Sequence, residues 1–281
     1  MDDPTPLRTG RLLGKVAVVT GASSGFGRAI AFRFSREGAK VVCADIKEDP
    51  DTGGSRDADK GFRTDKYITS KGGQAIFVKV DVSDSAQVDQ MIARAVAEYG
   101  QLHIMVNNAG ICPEAQAPNA GKLLYDLDDE VFDKTMRVNS RSVFLGCKYA
   151  NRQFLKQDVL SSGDRGWIVN IGSTASLTAD VGIGAYNTSK GAVLQTTKSV
   201  AVEMAPHKIH CNIVCPGDVI TSCFEPHLYD ESAVANSLAK YPWGRFGSVS
   251  EIAAAVCFLA SPDAGFITGA VLSVDGGFVA Q

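Results

Sequence analysis

The chain alternates short, continuously apolar runs with longer stretches in which apolar residues recur every three or four positions. The short runs are Lys15–Thr20, Lys40–Asp45, Ala75–Val80, His103–Asn107, Trp167–Ile171, Ile209–Cys215 and Ala270–Val274. Their length and their richness in valine and isoleucine predict strands. The longer stretches predict helices. Gly25–Glu37 places Ile30, Ala31 and Phe34 at helical spacing and stops at Gly38, and Asp84–Tyr99 stops at Gly100. Asp128–Gln157 reads as one long helix, and another begins at Tyr186 and runs to about Met204. Strands that are apolar throughout, rather than alternating, are buried on both faces. Separated by helices, they imply an α/β, doubly wound parallel sheet with helices on both faces. No linker of convincing length interrupts the series, so residues 1–281 are expected to form a single domain.

Two segments break the rhythm. Residues 47–60 are rich in Asp, Gly, Ser and Lys and predict a solvated loop after the second strand. Residues 222–243 hold a helical stretch between Phe224, Tyr229, Tyr241 and Trp243. A partly apolar segment outside the main alternation reads either as a lid over a site or as a surface helix packed on the core.

Composition adds exclusions. Hydrophobic residues make up 45% and charged residues 21% of the 281 residues, the balance of a globular protein with a sizeable core. A net charge of -3, without long runs of one sign, argues against nucleic acid or an anionic membrane surface as partner. No run approaches the length of about 18 apolar residues that a membrane span needs. The acidic, polar start Met1–Thr5 is unlike a secretory signal, so a cytoplasmic location is expected. Of the seven cysteines, Cys43, Cys147 and Cys257 sit in apolar stretches and read as small core residues. Cys211 and Cys215 fall in one strand, roughly 13 Å apart, too far for a disulfide. The four histidines, His103, His207, His210 and His227, form no metal-ligand spacing, so no metal is expected.

The first strand runs directly into Thr20-Gly21-Ala22-Ser23-Ser24-Gly25-Phe26-Gly27, which opens a helix. Glycines let the backbone turn tightly and approach a ligand, and the helix start offers unpaired N–H groups to a pyrophosphate. Asp45 ends the next strand, about twenty positions on, where a carboxylate can accept hydrogen bonds from both adenosine ribose hydroxyls. It would repel the extra phosphate of NADP, and Ser24 puts no base inside the turn to offset it, so NAD is expected as cofactor. Lys47 and Arg56, in the loop after that strand, are the bases that could soften this preference.

A second constellation lies downstream. Tyr186 and Lys190, four apart on a helix, share one face. A phenol with a pKa of about 10 is a poor base at neutral pH, and a fixed ammonium one turn away favours the phenolate. Ser173 follows a strand and lies on the same sheet edge as the glycine turn, the edge where parallel sheets bind ligands. Its hydroxyl could hold a substrate oxygen beside Tyr186. Asn107-Asn108-Ala109-Gly110 ends another strand on that edge.

With these motifs in hand, together with Asp81-Val82, Asn139, Pro216-Gly217 and Val274-Asp-Gly-Gly277, the chain resembles the short-chain dehydrogenase/reductase family from about Leu13 to the C-terminus. The resemblance implies a Rossmann-type sheet of seven strands and a single dinucleotide-binding and catalytic domain. It also implies roles. Tyr186 would donate or accept the proton, and Lys190 would lower its pKa and bind the nicotinamide ribose. Ser173 would position the carbonyl, and Asn139 would anchor a relay water. Gly21, Ser23, Ser24, Gly25, Phe26 and Gly27 would cradle the pyrophosphate, with Asp45 and Ile46 at the ribose. Asp81 and Val82 would flank the adenine, and Asn108, Ala109 and Gly110 would run along the cofactor. Pro216, Gly217, Val219 and Thr221 would reach the nicotinamide amide. The family's habit of assembling through its two long helices, here Asp128–Gln157 and Ala185–Met204, implies a homotetramer.

Several departures leave the substrate open. The loop after Asp45 and the stretch Ile111–Lys122 are longer than the family pattern, and Phe26 is larger than its usual aliphatic counterpart. The stretches expected to border the pocket (Ile111–Lys122, Thr174–Ile183 and 222–243) are mostly apolar or small, as at Ile111, Ala175, Leu177, Val181, Ile183, Phe224, Leu228 and Trp243. They carry Asp180 and Glu225 but no arginine to clamp an anion. A neutral cyclic or aromatic alcohol or ketone is the expected substrate, with a sugar or polyol as the alternative. A nucleotide-sensing protein without turnover, and a non-redox isomerase or dehydratase on the same fold, are the competing classes.

Overall fold

The computed structural model describes residues 10–48, 61–221 and 231–281. Seven strands form one parallel sheet: β1 (Val16–Thr20), β2 (Lys40–Asp45), β3 (Gln74–Lys79), β4 (Ile104–Asn107), β5 (Gly166–Ile171), β6 (Ile209–Pro216) and β7 (Val271–Val274). Their order is β3-β2-β1-β4-β5-β6-β7, and every neighbouring pair is parallel. The chain enters at β1, steps outward to β3, then returns to the other side of β1 with β4. The winding therefore reverses between β1 and β4, and the crevice outside their carboxyl ends is where such sheets bind ligands.

The helices are α1 (Gly25–Arg36), α2 (Thr64–Ser70), α3 (Ser85–Tyr99), α4 (Asp129–Thr135), α5 (Ser142–Phe154), α6 (Gly184–Met204), α7 (Glu231–Leu238) and α8 (Val249–Leu259). One sheet face buries Ala17, Val19, Val41 and Val169 under Ile30 and Phe34 of α1 and Ile252 and Val256 of α8. The other buries Val18, Val42, Met105 and Ile168 under Val88 and Met91 of α3, Leu145 of α5 and Val193 of α6. Successive residues of a strand point to opposite faces, so a strand covered on both sides buries every residue, and its few polar ones, such as Asn107, Asn170, His210 and Asn212, must be hydrogen-bonded. This is why β1, β4, β5 and β6 are buried at every residue. At the sheet edge β3 is only half-buried, and its end residues Gln74 and Lys79 are exposed.

The strand and helix ends fall within a residue or so of those the pattern predicts. Asp84 caps α3 through its side chain, which accepts from Ala86 and Gln87, and Gly100 closes it in the left-handed conformation at φ 85°. One expectation is corrected, and the pattern predicts neither of two helices, α2 and α8. The single helix Asp128–Gln157 is instead α4, a π-helical stretch Met136–Arg141, and α5. The short helix α2 escapes the periodicity test because it offers barely two turns. It is fastened by Thr64 Oγ1, which donates to the Ala22 carbonyl at 2.8 Å.

Six of the cysteines lie among the described residues and form no disulfide there; Cys43, Cys147, Cys211, Cys215 and Cys257 are buried. Among the described residues no helix is long and apolar enough to cross a membrane, and no cluster of His, Cys, Asp or Glu has the makings of a metal site.

Candidate active site

The glycine turn after β1 is shaped by two left-handed glycines, Gly21 at φ 66° and Gly25 at φ 49°, a region costly for any residue with a Cβ. Gly27 is fixed by packing instead, since a Cβ there would lie 2.1 Å from the Gly21 carbonyl oxygen. Ser24 caps α1 in extended backbone without a side-chain cap bond, and no acidic residue occupies the first turn. The leading N–H groups of α1 are thus left to a ligand, with the helix dipole behind them. A Cβ on Gly25 would meet nothing nearer than Thr221 Cγ2 at 3.9 Å.

Thr20 and Asn108 join the ends of β1 and β4 across the switch point. Thr20 Oγ1 accepts from the N–H groups of Asn108 (2.9 Å) and Ala109 (3.1 Å). Asn108 Nδ2 donates to the Thr20 carbonyl at 2.8 Å. The Asn108 side chain therefore shapes the crevice wall from behind.

Asp45 ends β2 beside the glycine turn. One carboxylate oxygen accepts from Ser23 N–H at 2.9 Å and the other from Lys47 N–H at 3.2 Å, while Ser23 Oγ donates to the Lys47 carbonyl at 2.7 Å. Ile46 next to it is exposed. Arg63 grips the Asp65 carboxylate at 3.2 and 3.0 Å and also pairs with Glu48. Asp81 receives Ser83 N–H on its carboxylate and offers its own N–H to Gln87 Oε1, both at 2.9 Å; Val82 beside it is half-buried. Arg56 falls outside the described residues.

The second constellation assembles on α6. Tyr186 lies in its first turn and Lys190 one turn on, with Nζ 5.5 Å from the Tyr186 ring centroid. Lys190 is buried, and Nζ donates to the Ile171 carbonyl at the end of β5, at 2.9 Å. Burial pushes its pKa down from the ordinary 10.5 to about 8. Ser173, just past β5, accepts from Ala175 N–H at 3.2 Å, while Ser176 Oγ accepts its backbone N–H at 3.3 Å. Used as an acceptor toward Ala175, the Ser173 hydroxyl keeps its own proton to donate.

Asn139 is 1% exposed, which excludes a solvent-facing position for it. It lies in the π-helical stretch, where its amide bridges to the Ile111 backbone and donates to Ser189 Oγ at 3.0 Å. Gly110 lets these groups converge, because a Cβ there would come within 3.3 Å of Asn139 Oδ1 and 3.7 Å of Lys190 Nζ. Past β6, Gly217 is required by packing: a Cβ would lie 2.9 Å from the Tyr241 ring. Val219 is buried and bridges to Gly247, and Thr221 is half-buried.

On the rim, Leu177, Val181 and Trp243 are exposed. Lys122 pairs with Asp128 at 2.8 Å and Lys240 with Asp180 at 3.3 Å. Phe224, Glu225, His227 and Leu228 lie outside the described residues, so of the lid candidate 222–243 only residues 231–243 are described. That part is rooted at Asp218, whose carboxylate accepts from Ser237 Oγ and whose N–H donates to Tyr241 Oη, each at 2.8 Å.

Sequence reasoning missed two residues here, Asp218 and Glu114. Glu114 is 2% exposed and its two carboxylate oxygens accept from the N–H groups of Ala185 (2.8 Å) and Tyr186 (3.0 Å). Nothing in its surroundings in the sequence marks it, because its partners lie on an element far along the chain.

Comparison with known proteins agrees with this geometry. A family model described as enoyl-(acyl carrier protein) reductase matches residues 21–279. The 2-(R)-hydroxypropyl-CoM dehydrogenase of Xanthobacter autotrophicus is 40% identical over 95% of this chain and 100% of its own length. The 3beta-hydroxysteroid dehydrogenase 2 of Eggerthella lenta is 37% identical, covering 96% of each chain. A solved structure from Agrobacterium tumefaciens, named provisionally as a 2-deoxy-D-gluconate 3-dehydrogenase and holding NADP, superposes with a TM-score of 0.81 at 29% identity, over 98% of this chain and 100% of that one. The chain belongs to the short-chain dehydrogenase/reductase family of oxidoreductases.

Proposed function

We propose that this protein is an NAD-preferring dehydrogenase that interconverts a secondary alcohol and a ketone, with Tyr186 as the acid/base. The observation that carries the reading is the buried Lys190 ammonium, 5.5 Å from the Tyr186 ring and on the same crevice edge as Ser173. The nicotinamide, when bound, supplies or accepts the hydride. The remaining work falls to side chains. Ser173 donates its hydroxyl proton to the substrate oxygen and fixes its place. Tyr186 passes a proton to that oxygen in reduction and takes one in oxidation. Lys190 favours the charged phenol by its proximity and reaches the ribose. Asn139 holds Ile111 and Ser189 in place at the floor of the site.

Asp45 supports NAD over NADP, since a carboxylate that ends β2 beside the glycine turn would repel a 2′-phosphate. For the substrate, the apolar rim and the ion-paired Lys122 and Lys240 favour a neutral ring-sized molecule held by burial. The steroid dehydrogenase among the relatives is consistent with that class, and a sugar or polyol is the second reading, which the gluconate-named neighbour favours. A homotetramer formed through α4, α5 and α6 belongs to the same proposal; a stable monomer in light scattering would exclude it.

The test is NADH absorbance over a panel of cyclic ketones, hydroxysteroids and sugars, with Tyr186→Phe as control. That variant should bind NADH normally and lose turnover by about 10²–10⁴-fold, the usual worth of a positioned acid/base. Near-normal turnover would remove Tyr186 from the chemistry.

A further inference from the structure

We propose that Glu114 is a positioning residue for the acid/base step, serving as the N-terminal cap of α6 from a distant loop. The proposal rests on the role given to Tyr186.

An α-helix leaves its first N–H groups without partners, and a Ser, Thr, Asp or Asn just before it normally accepts from one or two of them. The residue in that place before α6 is Ile183, which has no side-chain acceptor to offer. Glu114 fills the gap, with one carboxylate oxygen on Ala185 N–H at 2.8 Å and the other on Tyr186 N–H at 3.0 Å. A carboxylate only 2% exposed is costly unless its charge is compensated. Here the compensation is the two N–H groups and the positive end of a 21-residue helix.

The loop that carries Glu114 is itself fixed. Ile111 is bound by the Asn139 amide through both its N–H and its carbonyl. Pro113 opens the single 3₁₀ turn Pro113–Ala115, and Ala115 N–H closes it on the Cys112 carbonyl at 3.1 Å. The backbone of Tyr186 is thus tied through Glu114, Ile111 and Asn139 to the end of β4. Lys190 is tied separately, through Ile171, to the end of β5. Within α6 the backbone that carries the phenol is held from the loop after β4, and the ammonium one turn on is held from β5; Glu114 is the contact on the backbone of Tyr186 itself. A structural cap alone would protect stability. A positioning cap also sets where the Tyr186 hydroxyl stands relative to the substrate, and misplacement by about 1 Å can cost on the order of 10²-fold in rate.

The variant Glu114→Gln keeps the shape and one acceptor but presents an amide NH₂ to one of the two N–H groups. Turnover is measured per NADH-binding site, counted by fluorescence titration, so unfolded protein does not enter kcat. Glu114→Gln should keep the NADH Kd within about two-fold, because the glycine turn and Asp45 are untouched, and should lower kcat about 10- to 100-fold. In a Tyr186→Phe background the same substitution should change the residual rate by less than about two-fold, because its effect passes through the phenol. Unchanged kcat in Glu114→Gln, or an equal loss in the Tyr186→Phe background, would overturn the proposal. Near-normal turnover of Tyr186→Phe alone would instead remove the reading beneath it. If Glu114→Gln binds no NADH, Glu114→Asp, which keeps the charge on a shorter stem, carries the same comparison.

Discussion

Asn139 and Ile111 are bound to each other twice: Ile111 N–H donates to Asn139 Oδ1 and Asn139 Nδ2 donates to the Ile111 carbonyl, both at 2.8 Å. A side-chain amide here imitates a partner strand for one residue of the loop that leaves β4. Because Nδ2 also donates to Ser189 Oγ, a single buried side chain locks the π-helical stretch, that loop and α6 together. Asn139→Ala leaves the Ile111 N–H and carbonyl without this partner. An unsatisfied buried group costs about 1–3 kcal/mol, and in a chain of this size each kcal/mol lowers Tm by roughly 2–4 °C. We expect Asn139→Ala to melt several degrees lower and to lose turnover as well, by calorimetry and NADH absorbance respectively. An unchanged Tm would show that the two bonds contribute nothing.

Asp45 should set the cofactor. The ratio of kcat/KM for NAD to that for NADP is expected to favour NAD by at least about tenfold, a difference of roughly 1.4 kcal/mol. Asp45→Ala should narrow it, both by removing the repulsion and by freeing the Ser23 and Lys47 N–H groups that now donate to the carboxylate. A wild-type ratio in favour of NADP would reverse the assignment.

Lys190 should make stability depend on pH on the alkaline side. Burial lowers its pKa to about 8 in the folded protein, against 10.5 for the exposed group. Between those values the unfolded chain holds the proton more firmly, so the folded state gains stability as pH rises through that window. Below about pH 8 the full cost of the buried ammonium is present, on the order of 3 kcal/mol at about 1.4 kcal/mol per unit. Denaturant melts of wild type and Lys190→Met at pH 7.5 and 10 should show a positive slope in wild type that the variant lacks. Equal slopes would mean the ammonium is not penalised by burial. The same variant should be inactive, as expected of a group that costs stability for the sake of chemistry.

The substrate should be neutral. With Lys122 and Lys240 each held by a carboxylate, kcat/KM for a neutral cyclic ketone is expected to exceed that for an anionic ketone of the same size by about tenfold or more. A preference for the anion would show that one of these lysines, or His227, turns into the pocket when substrate binds.

Much of this could be read from residues alone. Runs rich in valine and isoleucine in β1, β4, β5 and β6 determine a sheet covered on both faces, because pleating sends alternate side chains to opposite sides. Gly21, Gly25 and Gly27 are legible as a tight glycine turn between strand and helix, because much of their necessity is local: two positive φ angles and a Cβ on Gly27 that the Gly21 carbonyl forbids. Tyr186 and Lys190 are legible as a pair because a helix places i and i+4 together whatever surrounds it.

What the tertiary structure alone decided is every contact whose partners lie on different elements. Residues 128–157 have helical periodicity, but in the fold Met136–Arg141 is a π-helical stretch, from which Asn139 reaches across to Ile111 and Ser189. The same holds for Glu114, a lone acid in a loop of mostly small and apolar residues until folding buries it against the start of α6, some seventy positions away. Asn108 reverses the lesson: its motif marks the crevice, but folding turns its side chain inward to Thr20. Periodicity and backbone conformation are properties of a segment and survive in its sequence. A hydrogen bond across the molecule is a property of the chain's path, which leaves no mark on the residues next to either end.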